Sequence, residues 1–210
     1  MINRSLLGGI EMPLSEKQIL NMKKRRETIL KAATCLFATE GYEGTTIKKI
    51  AEAANVGFGS VFTYFKDKEE LFYAAVVEPL KEVSNSVFAF NPDAENPMTE
   101  LEMMIKTHIK LFAGMNNYLA LVVQVVGQHH RYPDSFRKLD AFHDEFRERV
   151  SRLVQNGQEK RVLVQQDPLT VATLYTSLLI GIRLNTTDSR YSDMWESYAS
   201  SALHLFGPII

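Results

Sequence analysis

The chain has 210 residues, with 24 Lys and Arg against 25 Asp and Glu, 45% hydrophobic and 23% charged residues. That balance excludes a disordered chain and leaves material for one large domain, or a small one beside a larger one. No apolar run reaches membrane-spanning length, because residues 119–126 are broken by Gln124 and stop at Gly127. Residues 1–18 lack the apolar stretch and cleavage site of a signal peptide, and Cys35, the single cysteine, rules out an internal disulfide and fits a reducing cytoplasm. Charge is unevenly placed: residues 1–68 carry +4 and residues 69–210 carry −5. A basic head on an acidic body suits a protein whose head meets a polyanion; chance fluctuation is the alternative.

The chain reads as helix after helix, with no convincing alternating strand. Ser15 and Gln18 form a capping box for a first helix that runs to Glu40, where Gly41 stops it. Ile29, Ala33, Leu36 and Phe37 make its buried stripe, with Cys35 as a small buried neighbour. Lys23, Lys24, Arg25 and Arg26 near its start read as a solvated face. Thr45 or Thr46 caps a second helix whose apolar face is Ile47, Ile50, Ala51 and Ala54. Asn55, Val56 and Gly57 supply a turn, since Asn tolerates a left-handed backbone and Gly takes it freely. Val61, Phe62 and Phe65 form the apolar face of a third short helix, and Phe58, Ser60, Thr63 and Tyr64 are left to point elsewhere. Two helices this short and this close must lean on the first, which is the construction of a helix-turn-helix.

Asp67 and Glu70 cap a fourth helix, which Pro79 interrupts, so a kink or a restart is expected there. Residues 91–97 form a loop, and Asn96 with Pro97 opens a fifth helix. A sixth spans about 118–128, a seventh runs from Pro133 to near Gly157, an eighth starts at Asp167-Pro168, and a ninth covers about 191–206. The eighth is apolar nearly all round and therefore needs burial on more than one side. Thr170, Thr173, Ser177 and Gly181 place small residues along one strip of it, beside Leu178. Tyr191, Trp195, Tyr198, Ala202 and Leu205 give the ninth its own stripe. The pair fits either a four-helix contact across a two-fold axis or an ordinary core.

Residues 45–71 resemble the tetracycline-repressor (TetR) family of bacterial transcriptional regulators. The matching elements are Thr45-Thr46-Ile47, Ile50-Ala51, the Asn55-Val56 turn, Gly59-Ser60-Val61, Tyr64-Phe65-Lys66 and Lys68-Glu69-Glu70-Leu71. The chain departs from the family at Gly57, where Ser or Thr is usual, at Phe58, where a basic or small polar residue is common, and at Phe62, where Tyr is usual. The resemblance implies an all-helical protein with a three-helix DNA-binding domain at 1–66 and an effector-binding, dimerising helical bundle at 67–210. It also implies dimers formed through the last two long helices, with Thr173, Ser177, Leu178, Gly181, Trp195, Tyr198 and Ala202 at the interface.

The third helix, about 57–65, would then lie in the major groove. Phe58 could pack on a thymine methyl or instead staple the turn, Ser60 would read weakly, and Gly59 would allow close backbone approach. Gly57 and Thr63 complete the groove-facing set. Thr45, Thr46, Lys48, Tyr64, Lys66 and Lys68 are assigned to phosphates, although Tyr64 could tuck into the three-helix core. Phe62, without the hydroxyl, is expected in the core.

In the body, Ile105, His108, Phe112 and Met115 share one helical face, Gln124 interrupts an apolar run, and Phe142, His143 and Phe146 follow on the seventh helix. With Tyr175 they could line an effector cavity, or they could be plain core with satisfied histidines. The family's members commonly bind a small effector among the fourth to eighth helices and then release DNA. Catalytic chemistry finds no constellation: His129-His130 are adjacent and cannot share a helical face, and no phosphate loop, nucleophile elbow or zinc spacing occurs. The expectation is a cytoplasmic, ligand-responsive repressor without cofactor or metal, not an enzyme, with operator DNA, a small effector and a second copy as partners. The alternative is a DNA-bound protein-interaction factor that takes no small molecule.

Overall fold

The structure, a computed structural model, describes residues 15–185 and 195–209. Among these the helices are α1 (Glu16–Gly44), α2 (Ile47–Ala53), α3 (Phe58–Val61), α4 (Lys68–Val77), α5 (Pro79–Val87), α6 (Pro97–Gly114), α7 (Asn116–Gly127), α8 (Pro133–Glu159), α9 (Pro168–Asn185) and α10 (Trp195–His204). The only extended pairing among the described residues is an isolated bridge between Leu163 and Pro208. The described residues are all-helical, as expected.

Local signals in the chain set most of the helix starts. Ser15 and Gln18 make the full reciprocal capping box. Asn96 and Asp167 accept from the N–H groups of Thr99 and Thr170, each followed by a proline whose missing N–H costs nothing at a first turn. Asp67 likewise accepts from Glu70 N–H at 2.8 Å, but the return bond from the Glu70 carboxylate goes to Lys66 N–H, one residue before the cap. Thr46 is the residue that caps α2, by accepting from Lys49 N–H at 3.2 Å.

Two expectations change here. α1 does not end at Glu40: it breaks at Gly41 (φ 71°) and adds one more turn to Gly44. A side chain at Gly41 would face a strained backbone and also the Gln124 amide, 3.2 Å from where its Cβ would stand. In the helix-turn-helix, the left-handed residue is Asn55 (φ 51°), whereas Gly57 is extended at φ −64°, ψ 143°. Pro79 splits the fourth predicted helix into α4 and α5, since it has no N–H to continue the ladder. The restart at Pro79 is why the described residues hold ten helices where nine were expected.

The core has two centres. One joins α6, α8, α9 and α10 around Leu101, Ile105, Phe146, Leu153, Tyr175 and Phe206. The other gathers Ile29 and Phe37 of α1, Ile50, Val61, Phe65 and Leu71 of the head and α4, and continues into Leu121 and Val125 of α7. The head's apolar interior therefore does not stop at residue 66 but runs on through α4 to α7. No single described helix is long and apolar enough to cross a membrane.

Candidate nucleic-acid interface and effector cavity

The head presents an open face built by α2 and α3. Thr46, Lys48, Gly57, Phe58, Gly59, Thr63 and Lys66 are exposed, and Ser60 is half-buried among them. A Cβ added at Gly59 would meet nothing within 4 Å, so the backbone there is uncovered. Val61 and Phe65, on the opposite side, are buried against α1 and α4. Tyr64 is half-buried at the edge of that core and Lys68 holds its ammonium 4.1 Å from the Tyr42 ring. Lys49 is committed elsewhere, to the Glu40 carboxylate and the Gly44 carbonyl.

Two residues correct the sequence reading. Thr45 is fully buried and its hydroxyl donates to the Gly41 carbonyl at 2.8 Å, so it ties the end of α1 and has no face for a phosphate. Phe62 is not core. It is 45% exposed and meets the 55%-exposed Phe58 edge-on, ring centroids 5.3 Å apart. Of the two roles open to Phe58, a base contact or a staple for the turn, its exposure leaves the first available, and its ring meets Phe62.

In the body, α5, α7, α8 and α9 and the end of α6 line a cavity of about 330 Å³. Its wall is aliphatic and aromatic, with Val83, Leu119, Val122 and Phe136 beside the expected Phe112, Met115, Phe142, His143 and Phe146. Few polar groups interrupt it: Tyr118, Asp140, His143 and Thr176. Burial and the nearby Arg147 guanidinium hold the His143 imidazole below its ordinary value, which favours a neutral ring in the wall. A small set of polar groups in an apolar chamber of this size is the usual form of a small-molecule site.

Four expected lining residues lie elsewhere. Ile105, His108 and Tyr175 are packed in the body core, and Gln124 faces α1 against Gly41. His108 is a satisfied core histidine: one ring nitrogen is 2.8 Å from the Val87 carbonyl and the other 3.1 Å from the Tyr175 hydroxyl. Burial pushes its ionisation down to about 4 from an ordinary 6.5. Between those values the unfolded chain takes up a proton that the folded one refuses, so stability falls as pH drops through this window. Lowering the pH from 7 to 5 is expected to take about 2 kcal/mol from the unfolding free energy through this group. Urea unfolding of the protein and of His108→Gln at both pH values checks it: the variant should lose correspondingly less, and equal losses would contradict the assignment.

Tyr118 and Thr176 were missed because each looked like ordinary helix filling, yet Tyr118 joins the cavity to α4, the helix that follows the head. It lines the chamber and donates its hydroxyl to the Val76 carbonyl of α4 at 2.8 Å. Two residues on, Glu78 takes a two-pronged bond from Arg26 of α1 (2.6 and 2.5 Å) at the junction of α4 and α5. That hydrogen bond holds the Glu78 carboxyl below its usual range. The same guanidinium lies 4.7 Å over the Phe65 ring. A larger groove of about 890 Å³ follows this seam between α1 and α4–α7, but it is open and walled by charged side chains such as Glu27, Lys31, Lys81 and Glu82. The apolar cavity of the body is the better candidate for a small ligand.

The expected dimer strip divides. Ser177 is exposed, Thr173, Leu178 and Gly181 are half-buried, and Leu169 and Leu174 on the same helix stand open to solvent. Ala202 is a correction: it is 1% exposed inside the body core and offers no surface to a partner. Tyr198 is half-buried against that core, while the Trp195 side chain and Tyr191 lie outside the described residues. Among the described residues no group of three or more His, Cys, Asp or Glu could hold a metal, and His129 and His130 are exposed.

A three-helix head with an open helix-turn-helix face, seated on a helical body with an apolar chamber, defines the class as a helix-turn-helix protein with a helical companion bundle. Residues 29–75 match the model of the bacterial regulatory proteins, tetR family. Over that segment the chain is similar to the tetR family. It is 34% identical over 114 residues to the uncharacterised HTH-type transcriptional regulator YhgD of Bacillus subtilis (strain 168), covering 50% of this chain and 60% of the relative. It is 30% identical over 107 residues to the fatty acid metabolism regulator protein of the same organism, covering 50% and 55%. The matches thus span about half the length of these curated relatives. The crystal structure of AibR in complex with isovaleryl coenzyme A and operator DNA has the same fold, with a TM-score of 0.71 at 19% identity over 88% of this chain and 100% of that one.

Proposed function

We propose that this protein is a cytoplasmic, ligand-responsive transcriptional repressor that binds a palindromic operator as a homodimer and lets go when a small, largely apolar effector enters the body. The observation that carries the proposal is the pairing of an uncovered reading face with a 330 Å³ apolar cavity, one of whose wall residues, Tyr118, bonds to α4, the helix that follows the head. Residues 1–66 act as the DNA-binding domain and 67–210 as the sensor and dimer domain. Phosphates are held by Thr46, Lys48, Tyr64, Lys66 and Lys68, and Gly57, Phe58, Gly59, Ser60 and Thr63 face the bases. Copies meet through α9, around half-buried Thr173 and exposed Leu174 and Ser177, which sets two reading helices about 34–36 Å apart.

The effector is expected to be acyl-like or aromatic. The cavity wall supports this, as do a relative that regulates fatty acid metabolism and a structural neighbour bound to isovaleryl coenzyme A. Its arrival would press on Tyr118 and on α5, and so on Val76, Glu78 and the Pro79 break, which connect directly to α1 and α4. The ligand must prefer one head spacing over the other by about 1–3 kcal/mol to release DNA usefully.

The reading is tested by selecting fragments of the genome that encodes the protein on the purified chain and footprinting the best of them. A protected, two-fold symmetric site supports a dimeric regulator. Salt-sensitive binding with no preferred sequence would remove specific operator recognition. A protected site beside a cavity that admits no small molecule would turn the reading into a DNA-bound interaction factor.

A further inference from the structure

Two large apolar side chains stand in water on the very element that reads DNA. Phe58 and Phe62 are one helical turn apart, 55% and 45% exposed, and their rings touch edge-on at 5.3 Å and 70°. Their neighbours Val61 and Phe65 are buried, so the pair faces away from the head's interior. The same helix-turn-helix exposes Gly59, whose backbone is uncovered, Thr63, and the lysines Lys48 and Lys66. An exposed aromatic pair on a head that also exposes lysines matches a surface that is anionic at its rim and apolar at one point inside. In duplex DNA the major groove is such a surface, and the apolar point is the 5-methyl group of thymine.

We propose that Phe58 and Phe62 act together as one apolar reading unit that packs on thymine methyl groups, making thymine the preferred base at one or two positions in each half-site. This rests on the operator-binding reading above and goes beyond it, because it names the base chemistry that is read and the two residues that read it. Phenylalanine has no donor or acceptor, so the pair contributes nothing to discrimination by hydrogen bonding. The mutual contact fixes both rings and lowers the rotamer freedom that binding would otherwise remove. Ser60 and Thr63, at the side of the pair, are left to supply weaker polar contacts.

Deoxyuridine provides the test, since it keeps the pairing edge of thymine and lacks only the methyl group. Each thymine of a footprinted operator is replaced in turn, and affinity is measured for the full protein and for the double variant Phe58→Ala, Phe62→Ala, with helix content checked by circular dichroism. The wild type should lose about 4-fold per methyl removed at the read positions, the value of one buried carbon. The double variant should bind thymine and uracil operators equally while keeping its salt dependence. Uracil operators bound as tightly as thymine ones, or a methyl preference that survives in the double variant, would overturn the proposal and leave operator binding intact. Loss of self-association in the double variant with unchanged methyl preference would assign the pair to a contact between copies and overturn it as well. Absence of any footprint would overturn this proposal together with the regulator reading.

Discussion

Reversing the charge of Lys48 and Lys66 to Glu is expected to weaken operator binding by about 10²–10³-fold at physiological salt. Both residues are exposed, and neither side chain is used in an ion pair or hydrogen bond among the described residues, unlike Lys49 beside them. They are therefore free to meet phosphates, and removing them has little to undo in the fold. In a dimer the two lysines account for four phosphate contacts, so the slope of log affinity against log salt should fall by about 4. Melting temperature should stay within a degree or two of the parent, because substitutions at exposed, unengaged positions rarely exceed about 0.5 kcal/mol. Fluorescence anisotropy on a labelled operator across a salt series reads both numbers. An unchanged slope would place the phosphate contacts elsewhere on the head.

Filling the body cavity is expected to separate sensing from DNA binding. Val122 on α7 and Val83 on α5 both line the chamber and are both half-buried, so each can grow inward. Val122→Trp, or Val83→Phe as an independent variant, should leave operator affinity within about 2-fold, since neither residue is near the reading face. A ligand would then have to overpack the site, at a cost of about 1–3 kcal/mol, or about 5- to 150-fold in affinity. Release of the operator by that ligand should shift to correspondingly higher concentration. If both filled variants respond to the ligand as the parent does, the effector binds elsewhere, and the charged groove between α1 and α4–α7 becomes the next place to look.

The head was nearly complete in the sequence because its signals are local. A capping hydroxyl, a left-handed Asn and a short apolar period each act within four residues, so Thr46, Asn55 and Val61 fall where their chemistry puts them. The misreadings arose where a tertiary partner decides. Thr45 and Thr46 are equivalent as sequence, and only the position of the Gly41 carbonyl commits Thr45 to the interior. Phe62 was assigned to the core by its hydrophobicity, but α3 is one turn long and has room to bury only Val61 and Phe65 against α1.

The cavity was half legible for the same reason. A helical stripe tells which residues face inward but not whether another helix fills the space in front of them. Ile105, His108 and Tyr175 face inward and meet core, while Phe142 and Phe146 face inward and meet the chamber. Ala202 belonged to an apparent dimer stripe and is spent on packing within the body. Tyr118 and the Arg26–Glu78 pair join residues 42 and 52 positions apart, and no periodicity carries such a link.

The central claim is that the cavity and the reading face share one equilibrium, and the most direct measurement is their reciprocity. Fatty acids and small aromatic acids are first screened by thermal shift, where a ligand at 100 times its Kd adds about 2.7 kcal/mol of stability. The affinity of the best compound is then measured with and without saturating operator, and the affinity for operator with and without saturating compound. The account predicts that both fall by one common factor, about 5- to 150-fold. A compound that binds with the same affinity to the free protein and to the operator complex would show that the cavity does not control the head.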